Sequence, residues 1–313
     1  MTTLSNDQGR ALEFAIVSNL IDFFKEKNII LALTERTKRD NQRDSDRFQN
    51  LNEPMKKDFL LAGKKFIEWA SKEGWFKNAN KIDLDRLPDK EGQESNVTDI
   101  ALKVHSQEKI FVWNLSVKHN HNALKHPRLP RLPAQCGFTD YSTKKLWLSK
   151  HDKIWEDFID KSKQLSENAK TFSELKRKDV TFIDEYLYNP LIIAVKDFLQ
   201  TIKNGEDHVK SFFNFITSKV DFYTIKNEKE NILIKHFLGI KPPSSFTLEY
   251  PYKNKLNTLL ITFDNGWIMT LRLHTASSRM YKTSGKINSS TKFDVHCTNI
   301  EDLIKIDKIS KIK

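Results

Sequence analysis

The chain has 313 residues, 38% of them hydrophobic and 30% charged, with a formal net charge of +11. That length buries a substantial core in one large domain or two modest ones, and the composition excludes wholesale disorder. The basic excess favours a polyanionic partner, because each phosphate neutralised by Lys or Arg releases condensed counterions, although solubility alone also accounts for such a charge.

Asn6 or Asp7 can cap a helix running to about residue 25, in which Leu12, Ala15, Ile16, Leu20, Phe23 and Phe24 recur with helical period. Residues 35–47 are dense in both charge signs without apolar spacing and read as an exposed connector. Residues 55–72, carrying Phe59, Leu60, Phe66 and Trp69, predict a second amphipathic helix; 81–85 predict a short strand and 88–95 a polar loop. Two strands follow at 97–104 and 110–118, joined across 105–109. On the second, Val112, Asn114, Ser116 and Lys118 share one face, and Phe111, Trp113, Leu115 and Val117 the other.

The prolines of 128–133 forbid regular structure, so this segment is expected to run extended. Residues 151–164, 190–201, 206–220 and 227–238 then read as helices, with Pro190 at a first helical position, and Pro242 and Pro243 close this part. The β pattern returns at 258–263 and 267–273, around a turn at Asp264, Asn265 and Gly266, and again at 291–296. Cys136 and Cys297 cannot build a disulfide framework or a CxxC metal site within the chain, and reduced cysteines in a cytoplasmic protein are expected. The first ten residues are polar and do not read as a signal peptide. The most apolar windows, 14–24 and 191–199, are too short or interrupted for a bilayer, so no membrane partner is expected.

Chemistry concentrates at Asp99, in Val97–Thr98–Asp99–Ile100, and at Lys118, in Leu115–Ser116–Val117–Lys118. On adjacent strands the two side chains can converge. Phosphodiester hydrolysis requires a water nucleophile, charge neutralisation at the phosphate and a protonated leaving oxygen, and a divalent ion held by carboxylates supplies the first two. Mg²⁺ suits that role as a hard cation that keeps waters. Lys118 would orient or deprotonate the water or stabilise developing negative charge, and the Val117 carbonyl is a further candidate ligand. One carboxylate is a poor cage, so a second acid is needed: Glu13 first, Glu94 second. A solvated helix position explains Glu13 equally well. Taken alone, an Asp with a Ser-x-Lys is also what ordinary strands contain.

The stretch Asn96–Val97–Thr98–Asp99–Ile100, followed by Leu115 to Lys118 and then His119, Asn120, His121, Asn122, Ala123, Leu124, Lys125, His126, Pro127 and Arg128, resembles the HaeIII family of type II restriction endonucleases. The opening Asp7–Gln8–Gly9–Arg10–Ala11–Leu12–Glu13–Phe14 is similar to that family's N-terminal helix. The run from Leu271 to Arg279, with Lys292–Phe293–Asp294–Val295, resembles a segment near the end of several restriction enzymes. The resemblance implies an α/β (mixed α+β) fold: a PD-(D/E)xK nuclease core with a mixed central sheet flanked by helices, a helical insertion and a C-terminal β-hairpin. It also implies Mg²⁺ dependence and double-strand cleavage of a short palindromic site, GGCC by family precedent. Asp99 takes the metal-binding aspartate and Lys118 the lysine of the motif. Ser116 stands at the catalytic position where an acid is usual, which raises the weight on Glu13. The corresponding division is a nuclease core over 1–150, a helical subdomain over 151–243 and a β-rich DNA-contacting part over 244–313.

Residues 118–131 contain Lys118, Lys125, Arg128 and Arg131 and no acid, and 272–292 contain Arg272, Arg279, Lys282 and Lys286 and again no acid. Such runs suit a duplex backbone, with Ser277 and Ser278 adding hydroxyl groups. A basic surface loop is the plain alternative for the second run. Asn120, Asn122 and Gln135 can offer amides to base edges, while Arg128, Arg131 and Arg279 are the candidate guanine readers. His119, His121 and His126 could suggest zinc, but no Cys lies nearby, and hydrogen bonding to phosphate is the preferred role. One contiguous His/Asn run also does not match an HNH nuclease. The alternative function is a non-catalytic sequence-specific DNA-binding protein on a nuclease-like fold, and a nuclease acting on RNA or damaged DNA is a third reading. A palindromic site suggests a homodimer, although a monomer could cut the strands in turn. A cognate DNA methyltransferase is expected in the same system.

Overall fold

The computed structural model describes residues 4–88, 96–107, 109–120, 122–251 and 257–312. The chain divides into two compact units, Met1–Asn122 with Ser218–Ile240 and Ile304–Lys313, and Ala123–Thr217 with Lys241–Leu303. The boundary expected after residue 150 thus falls inside a unit, and residues 218–240 and 304–313 belong with the N-terminal part.

In the first unit, helix α1 (Leu4–Glu26) starts upstream of its expected cap and buries Leu12, Ala15, Ile16, Leu20 and Phe24. Strand β1 (Ile30–Leu33) follows. Residues expected to form an exposed connector instead form α2 (Glu35–Gln49), whose first turn is capped by the Thr34 side chain accepting from Thr37 N–H. The buried face of α2 is Thr37, Asp44 and Phe48, so its amphipathicity is hidden by a buried acid that arginines neutralise. Helix α3 (Glu53–Lys72), capped by Asn52, buries Phe59, Phe66 and Trp69. Strands β2 (Ala79–Arg86), β3 (Ile100–Ser106) and β4 (Ile110–His119) are antiparallel, with Leu84 opposite Leu102 and Leu102 opposite Trp113. Of the expected loop at 88–95, Pro88 is described; residues 89–95, Glu94 among them, lie outside the described residues.

The chain then enters the second unit. Residues 129–135 do not run extended: Leu129–Arg131 is a 3₁₀ turn and α4 (Leu132–Gln135) follows, each with a proline in its first two positions, where a missing N–H costs no hydrogen bond. Helix α5 (Tyr141–Leu165) begins at an Asp140 cap, and α6 (Phe172–Lys178) at a Thr171/Glu174 capping box. A π-helical turn, Asp184–Tyr188, leads into α7 (Asn189–Ile202), and α8 (Glu206–Thr217) ends this pass.

Back in the first unit, the stretch read as a helix over 227–238 is the second arm of a hairpin, β5 (Phe222–Asn227) and β6 (Asn231–Phe237). Ile232 and Ile234 are buried and alternate with half-exposed Leu233 and Lys235, which is a period of two, not of 3.6. Strand β5 runs parallel to β4, pairing Leu115 with Tyr223 and Lys118 with Lys226. The second unit resumes with β7 (Phe246–Glu249), β8 (Thr258–Phe263), β9 (Ile268–Thr275) and β10 (Thr291–Cys297), an antiparallel sheet in the order β10-β9-β8-β7, and a short α9 (Ile300–Leu303). The β8–β9 turn holds Gly266 at φ 87, a conformation that favours glycine. Strand β11 (Ile306–Ser310) completes a mixed seven-stranded sheet in the order β1-β2-β3-β4-β5-β6-β11. The apolar faces of α1 and α3 and the Ile82, Leu84, Leu102, Leu115 and Val117 face of this sheet form one core. The architecture is a mixed α/β fold consistent with a nuclease-like core. No described helix is long and apolar enough to cross a membrane.

Candidate active site and nucleic-acid interface

Asp99 lies just ahead of β3 and is fixed through its backbone. Its N–H donates to the Leu115 carbonyl at 2.8 Å, and its own carbonyl accepts from Leu87 N–H at 2.9 Å. The carboxylate oxygen Oδ2 accepts from Val117 N–H at 2.7 Å and from Ser116 Oγ at 3.1 Å. No described residue hydrogen-bonds Oδ1. Charge-assisted bonds of this kind hold one oxygen in place and leave the other for a ligand. Ser116 is buried, and its hydroxyl serves to orient Asp99. The N–H and C=O of a strand residue face the same edge, so the Val117 carbonyl is turned to the side on which Asp99 lies.

Lys118 shares a strand face with Ser116 and is half-buried. Its register partner Lys226 is neutralised by Glu228 at 2.5 Å, whereas Lys118 has no hydrogen bond or ion pair among the described residues. Its ammonium is therefore available to a substrate phosphate or water.

Glu13 is buried on α1, and its Oε2 accepts from Arg10 Nη1 at 2.9 Å and Arg86 Nη2 at 2.7 Å. Burial, reinforced by the negative charge of Asp99, pushes its pKa up to about 7 against the opposing pull of the two arginines. Arg86, fully buried at the end of β2, also reaches Asp44 at 2.7 Å and Asn41 at 3.0 Å. Sequence reading missed Arg86 and Asp44. Residues 13, 44 and 86 converge only in three dimensions, and no local spacing announces them.

The expected DNA-contacting residues are distributed between the units. In the first, His119 packs edge-on against Phe59 with ring centroids 4.8 Å apart, and burial lowers its pKa below the usual histidine value. Asn120 and Asn122 are exposed, Asn120 at φ 49, and His121 lies outside the described residues. In the second unit two of the expected contacts turn inward. Lys125 is buried, with Nζ donating to the Phe215 carbonyl at 2.6 Å and lying 3.9 Å from that residue's ring centroid. Gln135 is buried, and its Nε2 donates to the Arg128 carbonyl at 3.0 Å. Arg128, Arg131, Arg272, Ser278, Arg279 and Lys282 are exposed, and Ser277 is half-exposed with its Oγ accepting from Arg279 N–H.

The acid-free segment after Asn122 lies along β10, through bridges of Lys125 with Val295 and Arg128 with Lys292. Since β10 pairs with β9, parts of both acid-free runs meet on one sheet, where Asp294 takes Arg272 at 2.9 Å. His126 and His274 also converge on Asp294.

Comparison with known proteins identifies a family and a relative. The family model described as HaeIII restriction endonuclease matches residues 9–237. The chain is 23% identical over 324 residues to the type II restriction enzyme HaeIII of Haemophilus aegyptius, an alignment covering 94% of each chain.

Proposed function

Because the chain belongs to the HaeIII restriction endonuclease family, and is with it a type II restriction endonuclease and site-specific deoxyribonuclease, we propose that it makes Mg²⁺-dependent double-strand cuts at a short palindromic site, GGCC, from a centre built on Asp99, Glu13 and Lys118. The observation that carries this reading is the way Asp99 is held: its Oδ2 accepts from Ser116 Oγ and from the Val117 N–H of the strand that bears Lys118.

The donor set fits a hard cation: Asp99, Glu13 and the Val117 carbonyl offer oxygen only. A divalent ion bound there supplies charge neutralisation at the scissile phosphate and activation of water. Arg10 and Arg86 keep Glu13 directed, and Ser116 with the Val117 N–H does the same for Asp99. Lys118 orients the attacking water or stabilises charge on the phosphate oxygens. Arg128, Arg131 and Arg279 are the proposed guanine readers, with Arg272, Lys282, Ser277, Ser278, Asn120 and Asn122 on phosphates or base edges. We further propose a cytoplasmic enzyme acting as a homodimer on its two-fold site, with a cognate methyltransferase protecting the same sequence.

Digestion of a sequenced plasmid with Mg²⁺ tests this directly, and fragments whose sizes match cutting at GGCC sites are expected. Asp99→Asn and Lys118→Ala should each reduce cleavage by roughly a thousandfold or more while duplex binding persists, since general acid–base and charge-stabilising groups each contribute on the order of 10²–10⁴. Normal cutting by either variant removes that residue from the centre, and no discrete fragments from folded, DNA-binding protein rejects the reading.

A further inference from the structure

A second cluster, wholly within the second unit, has the donors of a transition-metal centre. Strands β9 and β10 bury Leu271, Leu273, Phe293 and Val295 on one face. The alternation therefore places Arg272, His274 and Asp294 together on the other, with Arg272 directly opposite Asp294. Residues 124–127 run beside β10: Leu124 N–H donates to the Val295 carbonyl at 2.8 Å, and Phe293 N–H to the Pro127 carbonyl at 3.0 Å. This pairing delivers His126 to the same place. Its Nδ1 lies 2.7 Å from Asp294 Oδ1, and His274 Nε2 lies 2.9 Å from that same oxygen. The three ligand atoms all fall within 4.8 Å of one another.

The hydrogen-bond geometry at His274 directs Nε2 to the carboxylate. Its Nδ1 is 3.0 Å from the Thr275 carbonyl, which can only accept, so Nδ1 carries a hydrogen. In the neutral ring Nε2 is then a lone pair facing a carboxylate oxygen that also only accepts. That lone pair and the carboxylate oxygen are the donor atoms a metal ion would take. The surroundings match a metal centre's outer shell: a backbone carbonyl fixes the His274 tautomer, and Arg272 Nη2 holds the second Asp294 oxygen at 2.9 Å. Zinc bonds of about 2.0–2.1 Å would place tetrahedral donors roughly 3.3 Å apart, so each histidine nitrogen needs to move about half an ångström away from the Asp294 oxygen. His126 and His274 are partly exposed, which leaves a path for the ion and room for a water.

We propose that His126, His274 and Asp294 bind one transition-metal cation of the Zn²⁺ class, with a fourth position open to water. Two imidazoles and a carboxylate select such an ion over Mg²⁺, which sets this site apart from the all-oxygen centre of the first unit. The ion would fasten the segment carrying Arg128 to β10, and so fix the basic surface that the two acid-free runs share.

The test uses full-length protein stripped with a chelator and titrated by calorimetry with Zn²⁺ in excess Mg²⁺, with visible absorption of the Co²⁺-loaded protein as a ligand-field signature. One equivalent per chain is expected for the unmodified protein and for Asp99→Asn. His126→Ala and His274→Ala should each weaken Zn²⁺ by more than the roughly 10–100-fold loss expected of Arg272→Ala, which removes only an outer-shell partner. Circular dichroism checks folding, and His126→Asn and His274→Gln replace any alanine variant that does not fold. Absence of stoichiometric Zn²⁺ binding overturns the proposal. So does binding that survives both histidine substitutions, or binding lost in Asp99→Asn.

Discussion

A buried carboxyl near another carboxylate holds its proton tightly, and Glu13 is in that position. Burial is the largest influence on it and the charge of Asp99 adds to it, so its pKa stands at about 7 against an ordinary 4.5. A folded-state pKa above the unfolded one gives stability that is fully present below pH 4.5 and is lost as pH rises through 7. In metal-free protein, stability should therefore fall across that window by up to about 3 kcal/mol. Mg²⁺ bound at the proposed centre should reverse the trend, because it favours the ionised form. Urea unfolding of metal-free protein at several pH values checks this: Glu13→Gln should flatten the slope, and an unchanged slope would assign it to another group. At this scale the sequence was informative where chemistry follows the chain. Asp99 beside Ser116 and Val117 could be read from two adjacent strands, and Glu13 from a helix expected to pack on them. Arg86 was not legible, because its position depends on three segments meeting.

Elements were legible where burial is apolar and hidden where it is ionic. Helices α1 and α3 announce themselves through aromatic and aliphatic spacing, whereas α2 buries Asp44 and exposes most of its charge. Burial by itself raises the Asp44 pKa, yet the hydrogen bond from Arg43 and the charge of Arg86 together bring it below the usual value. Its ionised form therefore stabilises the fold above pH 3.8, and that contribution is lost as pH falls further. Asp44→Ala would leave Arg86 with Glu13 as its remaining carboxylate, and breaking a buried pair on one side costs about 3–5 kcal/mol. Equilibrium urea unfolding should show that loss. A change within about 0.5 kcal/mol would instead fit the exposed connector that the bare charge pattern suggests. The β5–β6 hairpin failed differently: Ile232, Leu233 and Ile234 form a short apolar run, and such runs fit either period until their neighbours are known. Strands as short as β1 and β11 owe their existence to β2 and β6, not to their own residues.

For the whole molecule, a net charge of +11 says that phosphate is welcome but not where it binds. The fold sorts the cations of the acid-free runs into two kinds. Arg128 is exposed beside β10, while Lys125, three residues earlier, spends its ammonium on the Phe215 carbonyl and ring. Counterion release makes the difference measurable, because the slope of log affinity against log salt scales as about 0.9 per phosphate contact. Arg128→Ala should therefore lower that slope by about one if the residue contacts a phosphate; a guanine reader would instead lose about 1–3 kcal/mol of preference for GGCC. Lys125→Ala should leave slope and preference unchanged and lower the unfolding midpoint, since it removes an interior contact. Fluorescence anisotropy with Asp99→Asn as the background, on duplexes with and without GGCC at several salt concentrations, separates the three outcomes. A reduced salt slope for Lys125→Ala would mean that its side chain leaves the interior when the duplex binds.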